Sequence, residues 1–321
     1  MRTQEQYLAD LAKLKHNVYL GGEKIGRDDP RVLHAARAVC TTFSLAQSAE
    51  YGELLTATSH LTGKKINRFT HIHQNMEDLM IKQEMTRKLC GLVGGCIQRC
   101  MGCDMLNAIS VVTKDCDLKH GTNYHANYLK FAEYFQENDL VGAGAQTDPK
   151  GDRVARPSQQ WDPDQYLHVV ERRPDGIVVR GAKIHNTIAP YADEIIVTPT
   201  RLMGPDEGDW AISFAIPADT DGVLMICRQA EVQPRPDNLA APITNVSDIE
   251  SMTVFNDVFI PNDRIFLNGE TEFAGPMALT FALYHRHSYT GCKPGIGDVI
   301  MGTTAMMADM NNIRKQGHVK E

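Results

Sequence analysis

The sequence has 321 residues, 42% of them apolar and 23% charged, which excludes disordered and collagen-like chains and leaves length for about two domains. Lys and Arg number 33 against 40 Asp and Glu, a net charge of −7 without a basic cluster, so no nucleic-acid partner is expected. No run approaches ~18 consecutive apolar residues and the charged N-terminus lacks the pattern of a signal peptide, so a cytoplasmic protein without a membrane span is expected.

Residues 31–50 carry apolar groups at helical spacing behind Pro30, which suits a first helical position. Helical patterns recur at 74–93, 105–116 and 128–138, so residues 1–139 are expected to form a mostly helical N-terminal domain. At VGAGAQTDPKGDR the texture changes to Gly, Pro and Asp. Strands are expected at 166–171 and 177–180, around the turn Arg173-Pro174-Asp175-Gly176, and then at 194–200, 210–217, 222–229 and 252–261. That spacing suits a small antiparallel barrel or sandwich over 140–272. Helical texture returns in two stretches, 277–289 and 298–316, so 273–321 reads as the beginning of an incomplete C-terminal helical domain. The Met-rich stripe at 301–310 then packs on this chain, on another subunit or on sequence absent here. The fold class is α+β, in the order α, β, α.

Eight cysteines without an export signal imply a reducing compartment, where structural disulfides are rare, yet four of them lie within the fourteen residues from Cys90 to Cys103. Cys96 and Cys100 are spaced to share one helical face, with Cys103 beside them. Thiolates there would suit a soft metal or an iron–sulfur cluster, with Arg99 and the backbone near Gly94-Gly95 stabilising negative charge. Small buried structural thiols are the alternative. The C-x-x-x-C-x-x-C spacing also occurs in radical SAM enzymes, whose barrel needs a repeated βα pattern absent here.

His285 and Cys292, seven residues apart, share a helical face and with Cys96 and Cys100 would complete four ligands; taken alone, His285 and His287 read as surface or satisfied histidines. The turn at 147–153, with His185, Asn186 and Thr187 after a strand, could bind a ring edge or a pyrophosphate, or be a charged surface turn. Neither GxGxxG nor GxxxxGK[ST] occurs. His71, His73 and the run 120–128 lack carboxylate or cysteine partners at ligand spacing and read as structural or substrate-side groups.

The segments CIQRC, GTNYHANYLKFAEYFQENDL, TDPKGDR, DGIVVRGAKIHNT, VFIPNDRIF and YHRHSYTGCKPGIGDV closely resemble the flavoprotein family that holds the 4-hydroxybutyryl-CoA dehydratases and the 4-hydroxyphenylacetate 3-hydroxylases, with an acyl-CoA dehydrogenase-like fold. The resemblance covers nearly the whole chain, and the Cys and His positions favour the dehydratase branch. It implies a homotetramer acting on an acyl-CoA, with FAD and a 4Fe–4S cluster in each subunit. Cys96, Cys100, His285 and Cys292 would ligate the cluster. Gln146, Thr147, Asp148, Pro149, Lys150, Gly151, Asp152 and Arg153, with His185, Asn186 and Thr187, would line the flavin.

The activity implied is dehydration of 4-hydroxybutyryl-CoA to crotonyl-CoA, with isomerisation of vinylacetyl-CoA. Because a thioester acidifies only Cα, loss of the Cβ hydrogen would follow Cα deprotonation and one-electron oxidation by the flavin, with cluster iron as Lewis acid for the departing hydroxyl. In the same resemblance His285 is ligand and candidate base, Tyr289 handles a proton, Glu250 matches a catalytic-site glutamate, and Lys293 and Gln98 lie beside the cluster. Cys103 is an extra thiol, and His287 stands where glutamine is expected. Family members also continue beyond this length, so the sequence reads as a fragment, a truncated product or half of a split enzyme. A flavin-dependent aromatic-ring monooxygenase and an inactive chain needing a partner are the alternatives.

Overall fold

A computed structural model describes residues 1–228 and 248–320. Helix α1 (Gln4–Leu11) opens with Thr3 and Gln6 bonding reciprocally to each other's backbone N–H groups. The hairpin β1 (Val18–Leu20) and β2 (Glu23–Ile25) turns on Gly21 and Gly22, both at positive φ. Helix α2 (Pro30–Ala46) is capped by Asp29 and ends four residues before the expected boundary, after which a second hairpin, β3 (Thr56–Thr58) and β4 (Lys65–Asn67), follows. Then come α3 (Met76–Val93), α4 (Cys100–His120) and α5 (Tyr124–Glu137).

The strands that follow are β5 (Gly142–Ala145), β6 (His168–Arg173), β7 (Gly176–Thr187), β8 (Glu194–Val197), β9 (Ile212–Pro217), β10 (Val223–Cys227), β11 (Glu250–Pro261) and β12 (Ile265–Asn268). The hairpin expected around Pro174-Asp175 forms, with Arg173 paired to Gly176. A Cβ on Gly176 would lie 2.1 Å from the Ile260 carbonyl oxygen, so the neighbouring strand requires glycine there. Gln229, last residue of the expected run 222–229, lies outside the described residues.

Among the described residues the β3-β4 hairpin stands beside two larger sheets, in the orders β2-β1-β10-β11-β7-β6 and β12-β9-β8-β5. Neither larger sheet closes into a barrel among the described residues, and the pairs β1–β10 and β5–β8 are parallel where an antiparallel barrel or sandwich was expected. The reason is non-local: every residue of β5 and β8 is buried, as suits strands covered on both faces, and alternation along the chain says nothing of direction. Ile195 and Val197 face the six-stranded sheet, where Phe214 and Phe255 meet edge to face at 6.0 Å, while Ile196 faces Leu106, Ile109 and Phe135 of the helices. Helix α4 passes so close to β5 that a Cβ on Gly102 would lie 2.9 Å from the Gly142 carbonyl oxygen.

Where two C-terminal helical stretches were expected, a single helix α6 (Thr271–Met310) of 40 residues runs through Pro276 and Pro294, followed by the short α7 (Gly317–Lys320). Pro294 has no N–H for the carbonyl of Thr290, and the Gln83 amide of α3 donates to that oxygen instead at 3.4 Å. The first part of α6 packs on α3 and α4, whereas Ile300, Met301, Met306, Met307 and Met310 stand exposed. Among the described residues, no helix is long and apolar enough to cross a membrane.

Candidate active site

Helix α3 ends at Gly94, a left-handed C-cap at φ 68°, and α4 starts only at Cys100. Cys96 therefore sits in a loop, not on a helical face with Cys100 as its spacing suggested. The loop folds back through Gln98, at φ 63°, whose side chain accepts from the Tyr191 hydroxyl. Arg99 also departs from expectation. Its guanidinium turns away from the thiols, donating to Thr42 at 2.9 Å and Asp139 at 2.6 Å while lying 4.1 Å over the Phe43 ring, so it anchors the loop.

The thiols nevertheless converge. Cys90, Cys100 and Cys292 share one buried cluster, and Cys96 neighbours both Cys100 and Cys292. The mutual influence of these thiols holds the pKa of Cys96 far below an ordinary thiol's and pushes those of Cys100 and Cys292 far up. Cys100 occupies the first turn of α4, where unpaired backbone N–H groups favour negative charge. Cys103, by contrast, points toward the His71 carbonyl at 3.8 Å, and burial raises its pKa to about 11.

Cys292 reaches this cluster because α6 lies almost in contact with the α3 backbone. A Cβ on Gly291 would fall 2.2 Å from the Gln83 carbonyl oxygen, and one on Gly295 would fall 2.3 Å from that of Arg87. Gly295→Ala is expected to force the helices apart and cost about 1–3 kcal/mol, read as a lower urea midpoint.

One turn before Ser288, His285 stacks on Phe281 at 5.4 Å. Its Nδ1 lies 2.9 Å from Asp104 Oδ2 and its Nε2 lies 3.1 Å from the Tyr289 hydroxyl. Asp104, fully buried, also accepts from Lys82 Nζ and, at 3.1 Å, from Ser288 Oγ. Donor atoms of Cys100, Asp104 and His285 all lie within 4.8 Å of one another. Lys293 lies 5.3 Å over the Tyr289 ring, so His285, Tyr289 and Lys293 form one stripe along α6. Tyr289 is exposed, and partial desolvation together with the nearby thiols and Asp104 raises its pKa, leaving a protonated hydroxyl at neutral pH. Burial also lowers the pKa of His287, whose Nδ1 has no partner.

Lys82, Asp104 and Ser288 escape sequence reasoning, since no motif or spacing links them, and Cys90 stood out only as one end of the dense run of cysteines. Two of the remaining histidines find carboxylate neighbours that local spacing does not supply, His71 with Asp78 at 3.1 Å and His120 with Glu272 at 2.8 Å, while neither ring nitrogen of His73 has a hydrogen-bond partner among the described residues.

A second group of expected residues gathers where β5 and β7 end. Asp148 pairs with buried Lys183 at 2.6 Å, and the Thr147 carbonyl accepts from Ile184 N–H at 2.8 Å. Thr187 donates to Glu250 at 3.2 Å, and His185 lies 3.7 Å from the same carboxylate. Asn186 keeps a buried side-chain oxygen without a partner, an open acceptor for a polar ring edge. Lys150, Asp152 and Arg153 are exposed, in a turn closed by Gln160. Gln146 donates to the Ala278 carbonyl of α6 at 3.4 Å. Seven residues separate Ala278 from His285, so the two groups are about 10 Å apart along that helix.

Models described as the N-terminal and C-terminal parts of 4-hydroxyphenylacetate 3-hydroxylase match residues 3–267 and 274–321. The chain is 46% identical, over all of its length and 67% of the relative's, to 4-hydroxybutyryl-CoA dehydratase/vinylacetyl-CoA-Delta-isomerase of Clostridium aminobutyricum. The solved oxygen-tolerant archaeal 4-hydroxybutyryl-CoA dehydratase from N. maritimus is similar at a TM-score of 0.91 and 38% identity, covering 99% of this chain and 64% of that one. The oxygenase component of 4-hydroxyphenylacetate 3-monooxygenase complexed with FAD is similar at 0.87 and 26%, covering 100% and 67%. The chain thus spans about two thirds of the length of these relatives.

Proposed function

The chain belongs to the 4-hydroxyphenylacetate 3-hydroxylase family, and from that premise we propose that it carries the flavin-side and thiol-side halves of a 4-hydroxybutyryl-CoA dehydratase active site with vinylacetyl-CoA isomerase activity. The observation that carries this reading is the meeting of Cys96, Cys100 and Cys292 with a histidine whose second nitrogen faces a buried carboxylate. A flavin hydroxylase has no use for that donor set; an iron–sulfur site does.

In this reading Cys96, Cys100, Cys292 and His285 hold a 4Fe–4S cluster, and residues 146–153 with 185–187 receive FAD, whose ring edge the unpartnered Asn186 oxygen suits. When bound, these groups supply one-electron transfer and a Lewis acid for the leaving hydroxyl. The remaining work is proton handling. Net loss of water takes protons from Cα and Cβ and hydroxide from C4, and returns one proton to C4. Glu250, beside Thr187 and His185 on the flavin side, accepts the Cα proton. Tyr289, protonated and 3.1 Å from the His285 Nε2 that a bound cluster would occupy, donates on the thiol side, and Lys293 over its ring offsets negative charge there. A homotetramer completes the proposal.

Anaerobic purification with iron, sulfide and flavin analysis, followed by a 4-hydroxybutyryl-CoA dehydration assay, tests it. About four irons and one flavin per chain with turnover are expected. Flavin without iron would transfer the reading to a flavin-dependent aromatic-ring monooxygenase. Neither cofactor would indicate a chain that needs a partner to assemble.

A further inference from the structure

We infer that Asp104 is a positioning residue: clamped by Lys82 and Ser288, it holds His285 as the Nδ1–H tautomer and so leaves the Nε2 lone pair for a metal. This rests on the reading of His285 as a ligand. The argument begins with the place of Asp104. It lies one helical turn after Cys100 on α4, where α4 meets Lys82 from α3 and Ser288 and His285 from α6. Lys82 and Asp104 are both fully buried, an arrangement that generally stabilises no more than well-packed apolar side chains of the same volume. What apolar residues cannot do in that position is set a tautomer.

A carboxylate is an acceptor only, so the 2.9 Å contact with Nδ1 requires the proton on that nitrogen. In the neutral ring Nε2 then carries the lone pair, and the Tyr289 hydroxyl lies 3.1 Å from it, placed to donate. Asp104 is not itself a ligand. Its Oδ1 already accepts Lys82 and Ser288, and its Oδ2 accepts His285 and Ser288, so neither oxygen faces the thiols unengaged. Carboxylates behind metal-bound histidines act in this way, fixing ring orientation and raising ligand basicity, and their loss commonly costs about 10–100-fold in metal affinity. The Ser288 hydroxyl lies 3.1 Å from both carboxylate oxygens and shares its one proton between them.

The test has two readouts that do not depend on turnover. In the metal-free chain labelled with 15N-histidine, long-range 1H–15N correlation, with His285 assigned through His285→Gln, is expected to give the Nδ1–H form. In the double variant Lys82→Met/Asp104→Leu no buried charge is left unpaired and no acceptor faces Nδ1, so the preference for the Nδ1–H form is expected to be lost. After anaerobic reconstitution, that variant is expected to lose iron to a chelator about 10–100-fold faster than the wild type.

An Nε2–H form in the wild type overturns the inference, and so does an unchanged tautomer with unchanged iron retention in the variant. If the variant does not fold, the wild-type tautomer alone decides. If the wild type takes up no iron while the tautomer shifts as described, the orienting role of Asp104 stands and the cluster assignment falls.

Discussion

Cys100→Ser is expected to strip the reconstituted chain of most of its iron and to slow dehydration by about 10²–10³-fold or more, the scale of losing a Lewis acid worth several kcal/mol. The sulfur lies in the first turn of α4, beside Cys96 and near His285 and Asp104, so its removal opens the donor set at its centre. A serine hydroxyl is a hard donor that stays protonated at neutral pH and cannot replace a thiolate toward iron. Cys103→Ser is the matched control. That thiol faces the His71 carbonyl, away from the cluster, and its replacement is expected to leave iron content unchanged. Iron, sulfide and flavin analysis of the two variants beside the wild type reads both outcomes; equal iron in Cys100→Ser and wild type would remove Cys100 from the site.

The second large effect concerns stability. Lys82→Met leaves the Asp104 carboxylate buried without its counter-charge, and breaking a buried pair from one side costs about 3–5 kcal/mol. Against a typical total of about 5–15 kcal/mol, that is enough to unfold a marginal chain on mild warming. The urea midpoint should fall with an unchanged slope, and adding Asp104→Asn should recover most of the loss, since two neutral groups then replace two charges. A single-variant cost below about 1 kcal/mol would show that Asp104 is not ionised in the folded chain.

Some of the site was legible because its signals are local. The turn at Pro174-Asp175, the gathering of Gly, Pro and Asp after residue 140, and the positions of Cys96, Cys100, His285 and Cys292 need only a few neighbouring residues to be read. The same local reasoning misjudged geometry. Helical spacing placed Cys96 on a helix, but Gly94 ends α3 and the chain loops before α4 begins. Arg99 looked like a cation for thiolates because it sits between them in sequence; packing turns it onto Phe43 and Asp139.

The sequence by itself determined the coarse succession of helical, strand-rich and helical stretches and the supply of thiols and imidazoles, but not the short hairpins β1–β2 and β3–β4, because backbone preference and apolar period act over a handful of residues. Only the tertiary structure decided the parallel pairings β1–β10 and β5–β8, the continuity of α6 through Pro294, and the Lys82-Asp104-Ser288 clamp on His285. Each of these joins segments far apart in the chain. The clamp exists because Gly291 and Gly295 let α6 approach α3, and a buried polar side chain takes whichever partner that approach brings within reach.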